Sequence, residues 1–227
     1  MDKKVKGNVE RLLYDNYRVR TSGKSQALNI YQNNNGGFEG GRQHDPIYNN
    51  KNVRRQIYTF GCSWTYGWDI QQQQTFTHLL GDENTAVHNY GAGGTGLDFA
   101  VKTLSEVYIP ESRRQIFIIT MPHYFRRTWF DDDGVVLRAW QVKELVNINE
   151  YNNYYHFLHQ YNILNSFVGK NKIIWGTWDK DLPDEHFDIF FERIDHTDDG
   201  LHPGPKSHKQ YADKLKEIIK ERYESNG

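Results

Sequence analysis

The sequence contains very little cysteine and no long hydrophobic run. Cys62 is the only cysteine among 227 residues, which excludes an intrachain disulfide framework and is typical of a protein made in a reducing compartment. No window approaches the roughly 18 consecutive apolar residues that a membrane-spanning helix needs, and the charged first twenty residues lack the apolar segment of a secretion signal. We therefore expect a cytoplasmic protein without a membrane partner, although it could be incorporated into a larger particle.

An excess of charge of one sign is also absent. The chain carries 28 Lys and Arg against 29 Asp and Glu, a formal net charge of −1. The electrostatic attraction to phosphate that dominates nucleic-acid binding is therefore missing. A DNA or RNA partner is not expected.

The length favours one good-sized domain with a real core. Residues 21–52 are rich in Asn and Gly and offer little to bury, so they predict either an ordered arm wrapped on a body or a flexible lid. We predict a polar N-terminal extension over residues 1–55 and a folded domain over residues 56–227. The extension could also serve as an assembly element that makes a homo-oligomer.

From residue 56 onward, short β-rich runs alternate with segments of helical spacing. The runs predict strands at Gln56–Gly61, Ala86–Tyr90, Gln115–Met121 and Lys172–Thr177, and Trp129–Trp140 reads as an inserted hairpin. Strand–helix alternation of this kind favours a mostly parallel sheet covered on both faces.

Two segments show a helical apolar stripe. In the segment Tyr151–Val168, the predicted stripe consists of Tyr151, Tyr154, Tyr155, Leu158, Tyr161 and Phe167. In the C-terminal segment it consists of Tyr211, Leu215, Ile218, Ile219 and Tyr223.

Ligand sites of open parallel sheets lie outside the carboxyl ends of the strands, so the residues that follow each strand carry the most information. The first strand runs into the sequence GCSWTYG. Gly61 permits a sharp turn that would place Ser63 at the entrance to a helix, where unpaired N–H groups and the helix dipole favour developing negative charge. The alternative is a serine that merely caps the helix.

The second strand ends in Asn89 and Tyr90, followed by GAGGTG over residues 91–96. Four glycines in six positions let the backbone approach a ligand closely and direct N–H groups at it. The spacing is not G-x-G-x-x-G, and no acidic residue follows an adjacent strand to bind a ribose. A nucleotide cofactor is therefore not predicted.

Near the C-terminus, the sequence DGLHP places Asp199 three residues before His202. An Asp at this distance can hold one imidazole nitrogen and leave the other to take a proton. Serine becomes a good nucleophile only when such a base removes its proton, and the base in turn needs an orienting carboxylate.

Together these three segments resemble the SGNH (GDSL-type) hydrolase family, over roughly Gln56 to Glu224 and most specifically at GCSWTYG and DGLHPG. The resemblance implies a three-layer α/β/α sandwich with a mostly parallel five-stranded sheet, similar in outline to flavodoxin. It implies Ser63 as nucleophile, His202 as general base and acid, and Asp199 as the partner that orients His202. No cofactor is implied.

The resemblance also implies part of an oxyanion hole, made by the backbone N–H groups of Ser63 and Gly94. Asn89 matches an asparagine that is mainly structural in the family, beside the turn that Gly61 permits.

The sequence departs from the family pattern at two positions. Cys62 stands where the family has an aspartate; because adjacent residues of a strand or tight turn point to opposite sides, we predict that Cys62 is buried and that Ser63 faces the cleft. The third strand lacks the family's Gly-x-Asn-Asp, whose asparagine donates to the oxyanion. His123 falls at the matching position and could be the third donor, or it is an ordinary loop histidine.

Other charged and metal-binding residue types give weaker signals. Arg126 and Arg127 could bind an anionic group of the substrate or lie solvated at the surface. His156 and His159 are three residues apart on a predicted helix, but no further ligand follows at a zinc-site spacing. No metal site is predicted.

The expected activity is hydrolysis of an ester, with a small acyl or acetyl group as the acid and, because aromatic residues surround the motif, a carbohydrate or another small molecule as the alcohol. The alternative is a binding or assembly module with little or no catalysis, since a fold alone does not determine a function.

Overall fold

The computed structural model describes residues 53–108, 115–121, 123–124, 126–130, 136–138, 150–169, 172–180 and 182–223. The predicted extension over residues 1–55 lies outside the described residues except for its last three, and so does the turn of the predicted hairpin. Within the described ranges, no helix is long and apolar enough to cross a membrane.

The main sheet has five strands, all parallel, in the order β2-β1-β3-β6-β7. The α/β fold class with a five-stranded parallel sheet is therefore confirmed. Its strands are β1 (Arg55–Gly61), β2 (Thr85–Gly91), β3 (Gln115–Met121), β6 (Ile173–Thr177) and β7 (Ile189–Phe190). The first four match the predicted runs within a residue, while the two-residue β7 is too short to leave a pattern in the sequence. Strands β4 (Thr128–Phe130) and β5 (Val136–Arg138) form the predicted antiparallel hairpin.

In the part of the chain that the structure describes, five α-helices connect and flank these strands. They are α1 (Ser63–Tyr66), α2 (Phe76–Leu79), α3 (Leu97–Val107), α4 (Glu150–Leu164) and α5 (Pro205–Tyr223). A π-helical turn (Asn165–Gly169) continues α4, and 3-10 turns lie at Gln72–Gln74 and Asp184–His186.

Alternate residues of the strands supply two separate cores, one on each face of the sheet. On β3, Phe117 and Ile119 join a cluster with residues of α3 and α4, while Ile116 and Ile118 join a cluster with residues of α2 and α5. The architecture is thus three layers, with the carboxyl ends of the strands left open between the helices.

The predicted apolar stripe of the C-terminal helix is confirmed, since Tyr211, Leu215 and Ile219 are buried and Ile218 and Tyr223 pack at the edge of the same cluster.

The stripe predicted for Tyr151–Val168 is wrong in part. Tyr155 is 53% exposed and Phe167 is 49% exposed. The buried face instead passes through Phe157, Leu164 and Val168, which repeat at i, i+7 and i+11, so the helix is rotated by about one residue from the predicted face.

Candidate active site

Ser63 is positioned by a close approach of the chain to itself at the end of β1. A Cβ on Gly61 would lie 2.2 Å from the Thr65 hydroxyl and 2.6 Å from the Thr120 carbonyl oxygen, so only glycine lets α1 begin immediately against the ends of β1 and β3. Cys62 is fully buried, and the next residue, Ser63, lines a cleft. As the first residue of α1, Ser63 has a backbone N–H without an intrahelical acceptor.

Asn89 ties β2 to the segment that follows the nucleophile. Its side-chain amide donates to the Thr65 carbonyl and to the Thr77 hydroxyl, at 3.1 Å each. Its side-chain oxygen accepts from the Gly91 N–H at 2.9 Å. All of these groups are buried, so Asn89 lies behind the cleft and fixes α1 and α2 to the end of β2.

The glycine segment after β2 makes a tight turn beside Ser63. The Thr95 N–H donates to the Ala92 carbonyl at 3.3 Å, and Gly94 has a φ of 78°, a conformation that favours glycine. Both Gly93 and Gly94 line the cleft.

Ser63, His202 and Asp199 form a continuous chain of hydrogen-bond contacts. The Nε2 atom of His202 lies 2.9 Å from the Ser63 Oγ, and its Nδ1 lies 2.5 Å from a carboxylate oxygen of Asp199. The Ser63 and His202 side chains that meet here are 139 positions apart in the sequence. A serine, an imidazole and a carboxylate in this order can perform acyl transfer.

The Asp199 carboxylate is held by several donors of its own loop. One oxygen accepts from the Thr197 hydroxyl at 2.6 Å, from the Leu201 N–H at 2.8 Å and from the His202 N–H at 3.0 Å. Partial burial acts to raise the pKa of Asp199, but these hydrogen bonds outweigh it and hold the pKa well below its usual value. Asp199 is therefore ionised throughout the neutral range and can stabilise a positive charge on His202.

The loop that carries Asp199 and His202 is anchored to the start of α5 by Asp195. The Asp195 carboxylate accepts from the Lys206 N–H at 2.9 Å and from the Ser207 N–H at 2.8 Å. It also accepts from the Ser207 hydroxyl. Burial acts to raise the pKa of Asp195, but these bonds outweigh it and lower the pKa. The sequence analysis missed this anchor, because Asp195 lies ten residues before Pro205, far from the position immediately before the helix where a capping residue is expected.

A second imidazole–carboxylate pair lies in the same region. The Nδ1 atom of His123 is 2.9 Å from a carboxylate oxygen of Asp179. The Asp179 side chain is 3% exposed and that of His123 is 34% exposed, so the carboxylate is buried behind a ring that lines the cleft. The sequence analysis missed Asp179, although it follows the fourth predicted strand by two residues and the rule on strand ends would have found it.

This pairing restricts the chemistry that His123 can perform. An ionised carboxylate only accepts hydrogen bonds, so the proton of a neutral ring lies on Nδ1 and its Nε2 is an acceptor. Only a charged imidazolium could donate from Nε2. The predicted role of His123 as third oxyanion donor therefore requires the charged ring.

The cleft that contains these groups has a volume of about 770 Å³. All five residues predicted for the triad and the oxyanion hole line this cleft: Ser63, Gly94, His123, Asp199 and His202. Gly61 and Asn89 lie behind it.

Aromatic rings form much of the cleft wall. The indole rings of Trp64 and Trp178 stack at 4.5 Å between centroids. His123 meets Trp178 edge to face at 4.1 Å, and Trp68 lies 6.1 Å from the His202 ring. The rings of Trp64, Trp178 and His123 connect α1 to the ends of β3 and β6.

The two arginines that could bind an anionic group of the substrate, Arg126 and Arg127, lie in different places. Arg126 lines the cleft, with its guanidinium 5.7 Å from the centre of the Trp178 ring. Arg127 turns away and donates to the Asn153 side chain at 3.1 Å. Burial lowers the pKa of the Arg127 guanidinium, an effect that nearby Asp98 opposes.

The predicted helix histidines are not part of the cleft. His156 pairs with Asp98 at 2.7 Å, and burial raises the pKa of that carboxyl, while His159 is exposed. Among the residues described, no group of three or more His, Cys, Asp or Glu could hold a metal ion.

Comparison with known proteins gives distant likenesses among solved structures. No family model and no curated protein matches the sequence. The fold is similar to the crystal structure of a member of the lipolytic protein G-D-S-L family from Veillonella parvula DSM 2008. The match covers 73% of this chain and 98% of that chain, at 11% identity and a TM-score of 0.46. A likeness this distant says nothing about activity, so the chemistry is inferred from the side chains of this chain.

Proposed function

We propose that this protein is a serine hydrolase that cleaves a carboxylic ester through an acyl-enzyme. The observation that carries the proposal is the unbroken contact chain from the Ser63 Oγ through both nitrogens of His202 to Asp199, at 2.9 and 2.5 Å. A serine that only capped a helix would not need to contact an imidazole from a loop that lies 139 positions later in the sequence.

In the first half-reaction, Ser63 Oγ attacks the ester carbonyl and gives its proton to Nε2 of His202. The low pKa of Asp199 keeps a negative charge next to the imidazolium that forms. The tetrahedral oxyanion accepts hydrogen bonds from the backbone N–H groups of Ser63 and Gly94. When the intermediate collapses, the C–O bond to the alcohol breaks and His202 returns the proton to the departing oxygen.

In the second half-reaction, water takes the place of the alcohol. His202 removes a proton from the water as its oxygen attacks the acyl carbonyl, and it then protonates Ser63 as the acid is released. This cycle consumes only ester and water and needs no cofactor. His123 would add a third oxyanion donor only in its charged form.

For the substrate we propose a small acyl group, such as acetyl, on a carbohydrate or similar small alcohol. Three features support a ring-shaped alcohol: the cleft volume, the stacked Trp64–Trp178 wall and the exposed ring of Trp68 next to His202. The amphipathic rings of Trp residues suit ligands with one apolar and one polar face.

The proposal is tested with Ser63→Ala and a fluorophosphonate that labels reactive serines. We expect the wild-type protein to hydrolyse p-nitrophenyl acetate and to be labelled at Ser63. The alanine variant should lose about 10⁴–10⁶-fold in kcat, as other triads do. If wild-type protein is neither labelled nor active on a panel of acetylated sugars and aryl esters, the protein is a binding or assembly module instead.

A further inference from the structure

We propose that His123, oriented by Asp179, recognises a free hydroxyl group on the alcohol part of the substrate, beside the ester that Ser63 attacks. The substrate class is then a partly acylated polyol. This inference rests on the proposed function and adds a residue that determines specificity within the same cleft.

The carboxylate of Asp179 is buried behind the His123 ring. An ionised carboxylate excluded from water is costly unless it is hydrogen-bonded, and Asp179 is 3% exposed with His123 Nδ1 at 2.9 Å. When Asp179 is ionised it only accepts hydrogen bonds, so this contact places the proton of a neutral ring on Nδ1. The Nε2 atom of such a ring is a hydrogen-bond acceptor with a fixed direction.

The His123 ring lies close to the catalytic residues. His123 lines the same cleft as Ser63 and His202. It contacts Trp178 edge to face at 4.1 Å, and Trp178 stacks on Trp64, the neighbour of the nucleophile, at 4.5 Å. The acceptor is therefore joined to α1, which carries the nucleophile, by two packed rings rather than by a flexible segment.

The charges and rings of the cleft indicate which kind of hydrogen-bond donor would bind Nε2 of His123. Arg126, Lys180 and Arg193 line the cleft against the carboxylates of Glu192 and Asp199, so the excess charge of the lining is positive and disfavours a cationic donor such as an ammonium group. A neutral hydroxyl fits better, and the aromatic walls can cover the C–H face of a ring that carries it.

The inference differs from an oxyanion-donor role in a way that kinetics can measure. A donor to the oxyanion speeds the hydrolysis of every ester, because every ester develops that charge. An acceptor for a substrate hydroxyl speeds only the hydrolysis of esters that carry the hydroxyl.

The experiment compares trans-2-hydroxycyclohexyl acetate with cyclohexyl acetate, which lacks only the hydroxyl. The full-length wild-type protein is compared with His123→Ala and Asp179→Asn, and the ratio of the two kcat/KM values is taken for each protein so that intrinsic reactivity cancels between proteins. We expect each substitution to lower the ratio about 2- to 10-fold, the usual effect of one neutral hydrogen bond.

Two further variants keep the result interpretable. His123→Gln retains an acceptor oxygen and should recover part of the ratio. His159→Ala removes an exposed histidine outside the cleft and should leave the ratio unchanged. Melting temperatures identify any variant that fails to fold.

The inference is overturned if His123→Ala slows both acetates equally, which would make His123 an oxyanion donor, or if the wild-type ratio equals that of His123→Ala. If the wild-type protein prefers trans-2-acetamidocyclohexyl acetate to the hydroxyl ester, His123 recognises an amide N–H and not a hydroxyl, which also contradicts the inference. If the wild-type protein hydrolyses no ester, the proposed function fails. The ¹⁵N resonances of His123 in Ser63→Ala then decide the inference alone, since it requires a shift on addition of the hydroxyl ester but not of cyclohexyl acetate.

Discussion

The cleft contains two imidazole–carboxylate pairs that are built in opposite ways. His202 and Asp199 are three residues apart in one loop, and the Asp199 side chain is 28% exposed. His123 and Asp179 are 56 residues apart, and the Asp179 side chain is 3% exposed. The first pair is fixed by hydrogen bonds within its loop, the second by burial against the sheet.

Parallel register explains how the second pair forms. Met121 at the end of β3 is paired with Thr177 at the end of β6. His123 and Asp179 each lie two residues beyond that paired position, so the sheet delivers them to the same level. A local pair can therefore be read from sequence spacing, whereas a pair made by register becomes visible only when the order of the strands is known.

The comparison is tested most strongly by replacing each carboxylate with an amide. Asp199→Asn should lower kcat about 10³–10⁴-fold on every ester, as the equivalent change does in other Ser-His-Asp enzymes, because the amide favours the wrong imidazole tautomer. Asp179→Asn should act only on hydroxyl-bearing esters. Steady-state kinetics of both variants on p-nitrophenyl acetate gives the contrast directly.

Equal losses of kcat in the two variants would contradict the distinction between the His202–Asp199 pair, which transfers the proton, and the His123–Asp179 pair, which binds a substrate hydroxyl. So would a normal rate for Asp199→Asn, which would remove Asp199 from the mechanism.

The anchoring of the His202 loop predicts a smaller effect. Asp195→Ala removes the acceptor for two N–H groups at the start of α5 and should lower the free energy of unfolding by about 1–2 kcal/mol, as loss of a helix cap does. It should also reduce kcat, because the loop that carries His202 is no longer fixed.

The matched control is Asp213→Ala on the exposed side of the same helix. Asp213 pairs with Lys209 at 2.7 Å with both side chains exposed, so its loss should change stability by no more than about 0.5 kcal/mol. Urea unfolding measures both variants, and an equal loss in the two would argue against an anchoring role for Asp195.

The smallest predicted effect is the dependence of stability on pH that comes from Asp199. Its pKa in the folded protein is held below that of the unfolded chain, about 3.9. The stabilisation is thus fully present above the unfolded value and is lost as pH falls through the folded one. Urea unfolding of wild type and Asp199→Asn from about pH 6 downward should show the difference in stability shrinking with acid; a difference that grows instead would reverse the sign.

Several elements could be predicted because they depend on neighbours in sequence. Four β-rich runs matched strands of the parallel sheet, and the C-terminal stripe of Tyr211, Leu215 and Ile219 is buried. The face of α4 was assigned wrongly because its tyrosines are amphipathic, and spacing alone does not say which of two adjacent faces meets the sheet.

The sequence by itself determined the succession of four strands of the sheet along the chain, the turn at Gly61 and the residue types at three strand ends, because these follow from local backbone sterics and short-range periodicity. Only the tertiary structure decided that the Ser63 hydroxyl meets His202, that Asp179 lies behind His123, and that Arg126 rather than Arg127 lines the cleft. Those distances depend on strand order and on how the helices pack on the two faces of the sheet, and both are set by contacts between residues far apart in the chain.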